Sequence, residues 1–162
     1  MFYLDANTFI EAKNRYYRMD ICPGYWRWIL ESYAEGAVGS ISMVYDELLK
    51  GNDELASWAK ENDELFFPTN SYQVQQYMVD VSTHVSRLPG LKPNAVPEFL
   101  NGADPWLVAM AMANDGVVVT HEMPNPEAKK KIFLPDVCDH FDVPYMNTFD
   151  LLIQKEAQFV LS

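Results

Sequence analysis

The chain has 162 residues, of which 49% are hydrophobic and 22% charged, a size and composition that fit one folded domain with a substantial core and exclude a disordered chain. Acidic residues outnumber basic ones, 23 to 12, for a net charge of −11. A chain this acidic does not bind nucleic acid through bulk charge. Any phosphate contact needs a local basic patch or a bound cation.

Cys22 and Cys138 lie far apart and match no zinc spacing, so they read as reduced thiols. Met1-Phe2-Tyr3-Leu4-Asp5 reaches a carboxylate at once, which is not the pattern of a signal peptide. The longest apolar run, Pro105 to Ala113, is too short to span a bilayer. The expectation is a single cytoplasmic domain over residues 1–162 with no membrane partner.

Phe2 to Leu4 reads as a short buried strand ending on Asp5, followed by a helix from Ala6 to about Arg15. Met19 to Gly24 holds a Pro-Gly turn. Tyr25 to Tyr33 returns to helical spacing, and Gly36 stops it. Ala37 to Ile41 is a second strand. Ser42 reads as the N-cap of a helix over Met43 to Lys50, with Gly51 as its stop. Asp53 to Asn62 is a short charged helix, and Leu65 to Phe67 a strand or extended link. Ser71 to Leu88 is the longest helix, and Pro89 to Pro97 a turn-rich connection. Pro105 to Asn114 is apolar all round, which marks a buried helix. Val117 to Thr120 suits a central strand covered on both faces. Pro135 to Phe141 is a short helix, Val143 to Met146 a last strand, and Phe149 to Gln158 a closing helix.

This alternation predicts a three-layer α/β/α fold with a mainly parallel sheet. In such sheets, sites form beyond the carboxyl ends of strands. Asp5 follows the first strand, and Glu47 lies one turn into the helix after the second. Asp104 opens the buried helix, and Glu122 follows the Val117–Thr120 strand. All four acids are therefore expected at one edge, with Asp5, Glu47 and Asp104 near enough to share a cation.

Each acid also has a plainer role open to it. Asp5 and Asp104 sit where helix N-caps sit, and Asp104 precedes a proline at the first helical position. Glu47 lies about 60° from Val44 on a helical wheel, at the border of the core, whereas Asp46 points away into solvent. Glu122 could be an exposed loop acid and Thr120 plain strand filler. The convergence of all four favours a site, because carboxylates crowded in a cleft repel unless a cation neutralises them. Hard oxygen donors with room for water suit Mg²⁺ or Mn²⁺. Two such ions activate water and stabilise the leaving oxygen of a phosphodiester.

His84, His121 and His140 form no pair four residues apart, so they read as packed or surface residues. Neither a P-loop nor a dinucleotide-binding glycine motif occurs. Lys13-Asn14-Arg15-Tyr16-Tyr17-Arg18 interleaves charge with aromatics. Lys13, Arg15 and Arg18 are candidates to hold phosphates, or else form a solvated helix end. Lys129-Lys130-Lys131 reads as a solvated run.

The acids sit in stretches that resemble the PIN-domain nucleases, and among them a PIN-like family of uncharacterised function related to VapC-type toxin ribonucleases. The matching stretches are Leu4-Asp5-Ala6-Asn7-Thr8-Phe9-Ile10, Asp46-Glu47-Leu48-Leu49-Lys50-Gly51, Gly102-Ala103-Asp104-Pro105-Trp106-Leu107 and Val118-Val119-Thr120-His121-Glu122, with Pro135-Asp136-Val137-Cys138 beyond them. The resemblance runs to about Leu152. It implies a metal-dependent endoribonuclease that cuts RNA with Mg²⁺ or Mn²⁺, with Asp5, Glu47 and Asp104 as core acids and Glu122 as the fourth. It further implies a homodimer and, for a toxin, a small antitoxin partner. The fourth acid in this family is usually Asp rather than Glu, and the chain carries extra sequence between Asn62 and Asn101. Two other readings stand beside this one. One is a phosphatase of the haloacid dehalogenase type, whose D-x-D-x-T motif is half met by Asp5-Ala6-Asn7-Thr8. The other is a non-catalytic PIN-like module that binds protein.

Overall fold

The computed structural model describes residues 1–161. Five short strands form one sheet: β1 (Phe2–Leu4), β2 (Val38–Ile41), β3 (Phe66–Phe67), β4 (Val117–Val119) and β5 (Tyr145–Met146), in the order β3-β2-β1-β4-β5 with every pair parallel. Helices flank the sheet in a three-layer α/β arrangement. They are α1 (Ala6–Glu11), α2 (Pro23–Ala34), α3 (Ser42–Leu49), α4 (Glu54–Glu61), α5 (Tyr72–Ser86), α6 (Ala95–Asn101), α7 (Asp104–Asn114), α8 (Leu134–His140) and α9 (Thr148–Gln154).

The chain leaves β1 for β2 and β3 on one side, then returns to place β4 and β5 on the other. The strand order therefore reverses between β1 and β4. In parallel sheets that reversal opens a crevice past the strand ends.

Val118 and Val119 of β4 are buried, and that strand reads as a continuous apolar run; β2 is buried throughout but includes Ser40, whose hydroxyl donates to the Leu4 carbonyl at 2.6 Å. Helix α7 is the core helix, with Leu107, Val108, Ala109, Met110 and Ala111 buried. It packs on β2 and β4 and carries α5, α6 and α8 against its other sides.

Element types agree with the sequence pattern, and most differences lie at ends. The helix expected over Ala6–Arg15 widens after Glu11 into a π turn, Ala12–Tyr16, closed by the Tyr17 N–H on the Ala12 carbonyl at 2.8 Å. Tyr17 is held by stacking on Tyr25 and by the Trp26 indole N–H, which donates to its carbonyl. That packing is non-local and invisible in the spacing. Pro23 opens α2 rather than a turn, as a proline at the first helical position can. Ser42 is the first residue of α3 and not its cap; its hydroxyl turns to the Met43 sulfur.

Part of the Pro89–Pro97 connection is helix α6, missed because Pro97 suggested a break. It sits in the first turn, where no intrahelical partner for an N–H is needed. Strand β5 starts two residues later than expected, and α9 ends at Gln154 rather than Gln158. Among the described residues no helix is long and apolar enough to cross a membrane. Cys22 and Cys138 are free thiols.

Gly116, between α7 and β4, is required by close approach. A Cβ there would stand 2.5 Å from the Tyr3 ring and 3.0 Å from the Met1 carbonyl oxygen. That carbonyl is already fixed by the Val117 N–H. Gly116→Ala should therefore displace β4 from β1 and cost about 1–3 kcal/mol, the usual range for overpacking. Thermal unfolding of the purified variant measures this, and an unchanged midpoint would contradict it.

Candidate active site

The crevice at the sheet reversal is a pocket of about 380 Å³, lined by Asp5, Asn7, Glu47, Asp104, Glu122 and Lys131 among others. All four acids singled out in the sequence line it.

Asp5 is fixed most tightly. Its N–H donates to the Val119 carbonyl at 2.9 Å, continuing the β1–β4 ladder one residue past the strands. Its carboxylate is 5% exposed and accepts the Thr120 hydroxyl proton at 2.8 Å. Thr120 in turn accepts from the Asn7 amide at 3.2 Å and the Glu122 N–H at 3.1 Å. The Asn7 carbonyl oxygen accepts the His121 N–H. One hydroxyl thus orders the loop after β4 around the acid that ends β1. Although Asp5 occupies an N-cap position, its side chain makes no capping bond.

Glu47 is half-buried and Asp46 exposed, as the helical wheel predicts. The Oε1 of Glu47 accepts the Ala103 N–H at 2.9 Å, which ties α3 to the turn that starts α7. Asp104 is the first residue of α7, not its cap, which is Ala103; it sits in the first turn beside Pro105 and lines the pocket. Glu122 accepts the Leu134 N–H on Oε2 at 2.9 Å and the Lys131 ammonium on Oε1.

Burial pushes the Asp5 carboxyl up to about 7, with Glu122 and Glu47 adding to it and the Thr120 and Ala6 hydrogen bonds opposing. Asp104 is raised well above the carboxylate range, first by burial and then by Asp5, Glu122 and Glu47. As the side chains stand, no three His, Cys, Asp or Glu groups among the described residues meet at ion-holding spacing. The chemistry of the donor set still fits a hard divalent cation: carboxylate oxygens, mutually repelling, with Asp104 receiving no side-chain hydrogen bond among the described residues.

Of the other predicted site residues, Thr120 is buried and bonded to Asp5, Asn7 and the Glu122 N–H. Lys13, Arg15 and Arg18 do not line the pocket. Each is paired with an acid: Lys13 with Asp53 at 2.8 Å, Arg15 with Glu11 at 3.5 Å and Arg18 with Asp20 at 3.0 Å. Two residues were missed. Asn7 and Lys131 line the pocket, and neither stands out in the sequence pattern. Nothing in the spacing from Glu122 to Lys131 announces their contact.

A family model described as a domain of unknown function, DUF4411, matches residues 2–159. The chain belongs to that family. Among solved structures, it is similar to a chain of VapBC2 from Rickettsia felis, crystallised bound to a DNA fragment from their promoter. The TM-score is 0.53 at 17% identity, over 91% of this chain and 98% of that one. The likeness shows a PIN-like fold. No curated protein matches the sequence.

The raised carboxyl groups make metal-free stability depend on pH. An acid whose folded pKa lies above its unfolded value holds its proton more tightly when folded. Its contribution is full below the ordinary carboxylate range and lost as pH rises through about 7 for Asp5. Asp5→Asn mimics the protonated form. In chelator the variant should match wild type near pH 4 and melt several degrees higher near pH 8, about 2–4 °C per kcal/mol at this chain length. Groups with lowered values, Asp20 and Asp53, are common to both proteins and cancel. A variant less stable than wild type at the higher pH would contradict the crowding argument.

Proposed function

We propose that the protein is a metal-dependent endoribonuclease that hydrolyses RNA phosphodiester bonds with Mg²⁺ or Mn²⁺. The observation that carries this reading is the gathering of Asp5, Glu47, Asp104 and Glu122 in one pocket at the sheet reversal, with the Asp5 carboxyl raised by burial, Glu122 and Glu47, and the Asp104 carboxyl by burial, Asp5, Glu122 and Glu47. Such an arrangement is unfavourable for an empty protein and suits a cation-binding one.

Asp5, Glu47 and Asp104 would hold the ion. When bound, a divalent cation lowers the pKa of water and offsets charge on the scissile phosphate. The chain's own residues prepare that chemistry. Thr120 keeps Asp5 aimed into the pocket. Glu47 spends one oxygen on Ala103 and keeps the other for the pocket. Glu122 lines the same pocket, with one oxygen on the Lys131 ammonium and the other on the Leu134 N–H. Residues outside the pocket supply substrate contacts. Tyr16 is half-exposed and meets Phe149 edge-on at 5.0 Å and His121 at 5.8 Å, and His121 lies between Thr120 and Glu122 in the chain. This aromatic face can stack unpaired bases, which matters in a chain of net charge −11.

The likeness to a chain of a VapBC complex supports a toxin-like role with an antitoxin partner, and a homodimeric assembly is what the sequence resemblance implies. The phosphatase reading finds no support. Asn7 occupies the position of that motif's second acid, and both ends of its amide are bound, to Thr120 and the His121 N–H.

The deciding experiment is cleavage of mixed RNAs by the purified protein with Mg²⁺, Mn²⁺ or chelator. Asp5→Asn and Asp104→Asn should remain folded and lose roughly 10²-fold or more of the rate, several kcal/mol of transition-state stabilisation. Exposed Asp46→Asn should cleave like wild type. Cleavage in chelator, or by Asp104→Asn at the wild-type rate, would overturn the assignment. Tyr16→Ala should raise KM for unstructured RNA and leave kcat nearly unchanged.

A further inference from the structure

The four acids are not equivalent. Asp5 and Glu47 receive neutral donors, a hydroxyl and a backbone N–H. Neutral donors orient a carboxylate without cancelling its charge. Glu122 alone receives a cation. Its side chain is 13% exposed, pinned on one oxygen by the Leu134 N–H at the start of α8 and on the other by Lys131.

Lys131 is not a rim residue that folds back by chance. It lines the same pocket as Asp5, Glu47 and Asp104. Partial burial would depress its pKa. The Glu122 hydrogen bond and the fields of Glu122, Asp104 and Asp5 outweigh that and raise it, so the ammonium stays charged. The Phe133 ring lies under the same ammonium at 4.8 Å from its centroid and holds it in place from the other side. Lys129 is turned elsewhere, with its Nζ near Gly90. Of the lysine run, it is Lys131 that enters the pocket.

We propose that Lys131 is a resident cation that takes the place of a second divalent ion, so that the site binds one ion, at Asp5, Glu47 and Asp104, and Glu122 serves as the lysine's counter-charge. This rests on the metal-dependent reading above. It also gives the longer fourth acid a purpose. The additional methylene of Glu lets the carboxylate reach both the Lys131 ammonium and the Leu134 N–H. A point charge on a flexible stem suits this place, since it neutralises without demanding octahedral coordination.

The test is the stoichiometry of Mn²⁺ binding by titration calorimetry, with manganese electron paramagnetic resonance as a second readout. Wild type, Lys131→Gln and Lys131→Arg are compared, each checked for an unchanged far-ultraviolet spectrum. Lys131 is roughly half-exposed, so neither variant threatens the core. Wild type and Lys131→Arg should each bind one Mn²⁺ per chain. Lys131→Gln should bind two, the second at least 10-fold more weakly, because the uncovered Glu122 becomes available. RNA cleavage by Lys131→Gln should fall at low Mn²⁺ and recover as Mn²⁺ is raised. Two ions on wild type, or one ion on Lys131→Gln, would overturn the lysine's role and leave the nuclease reading standing. No Mn²⁺ on any of the three would overturn both.

Discussion

The register of β1 on β4 sets Leu4 beside Val119, and everything at the site depends on that pairing. One residue further on, Asp5 and Thr120 are forced side by side. There the ladder ends and the two side chains must satisfy each other. A carboxylate at this depth is costly without a donor. The Thr120 hydroxyl supplies one and accepts two bonds in return, so a single threonine fixes the acid, the loop after β4 and the position of Glu122. Because the sheet reverses at the same pair of strands, the fixed acid faces an open crevice rather than a packed helix. Tyr3 packing on Gly116 keeps the register from slipping.

Much of this is legible in the sequence, for a physical reason. Strands buried on both faces must be continuously apolar, so Phe2–Leu4 and Val117–Val119 stand out, and the first polar residue after each is a site candidate. The order of elements then fixes which ends meet. Helical periodicity separates Glu47 from Asp46. What fails is what depends on non-local partners. Tyr17 on Tyr25 sets the π turn, and the Glu47 bond to the Ala103 N–H is made across 56 residues. Lys131 is one of three consecutive lysines. Only the fold distinguishes it from its neighbours.

Of the chain's 12 lysines and arginines, four form ion pairs among the described residues. Lys13, Arg15, Arg18 and Lys131 each face a carboxylate. Exposed pairs of this kind add little stability. Their effect is on the surface field, because each pairing offsets a positive charge that could otherwise attract phosphate.

The way the acids are held separates orientation from neutralisation. A backbone N–H or a hydroxyl fixes the direction of a carboxylate and leaves its negative charge in the pocket. An ammonium fixes direction and cancels the charge as well. The chain uses the first kind of partner for Asp5 and Glu47, gives Asp104 no side-chain partner among the described residues, and reserves the second kind for Glu122. A site built only for stability would pair every acid with a base. Here three of the four are kept unneutralised at the one crevice the topology opens. Burial and the neighbouring carboxylates raise the Asp5 and Asp104 carboxyls, and the Thr120 hydroxyl beside Asp5 and the Lys131 ammonium near Asp104 offset only part of that.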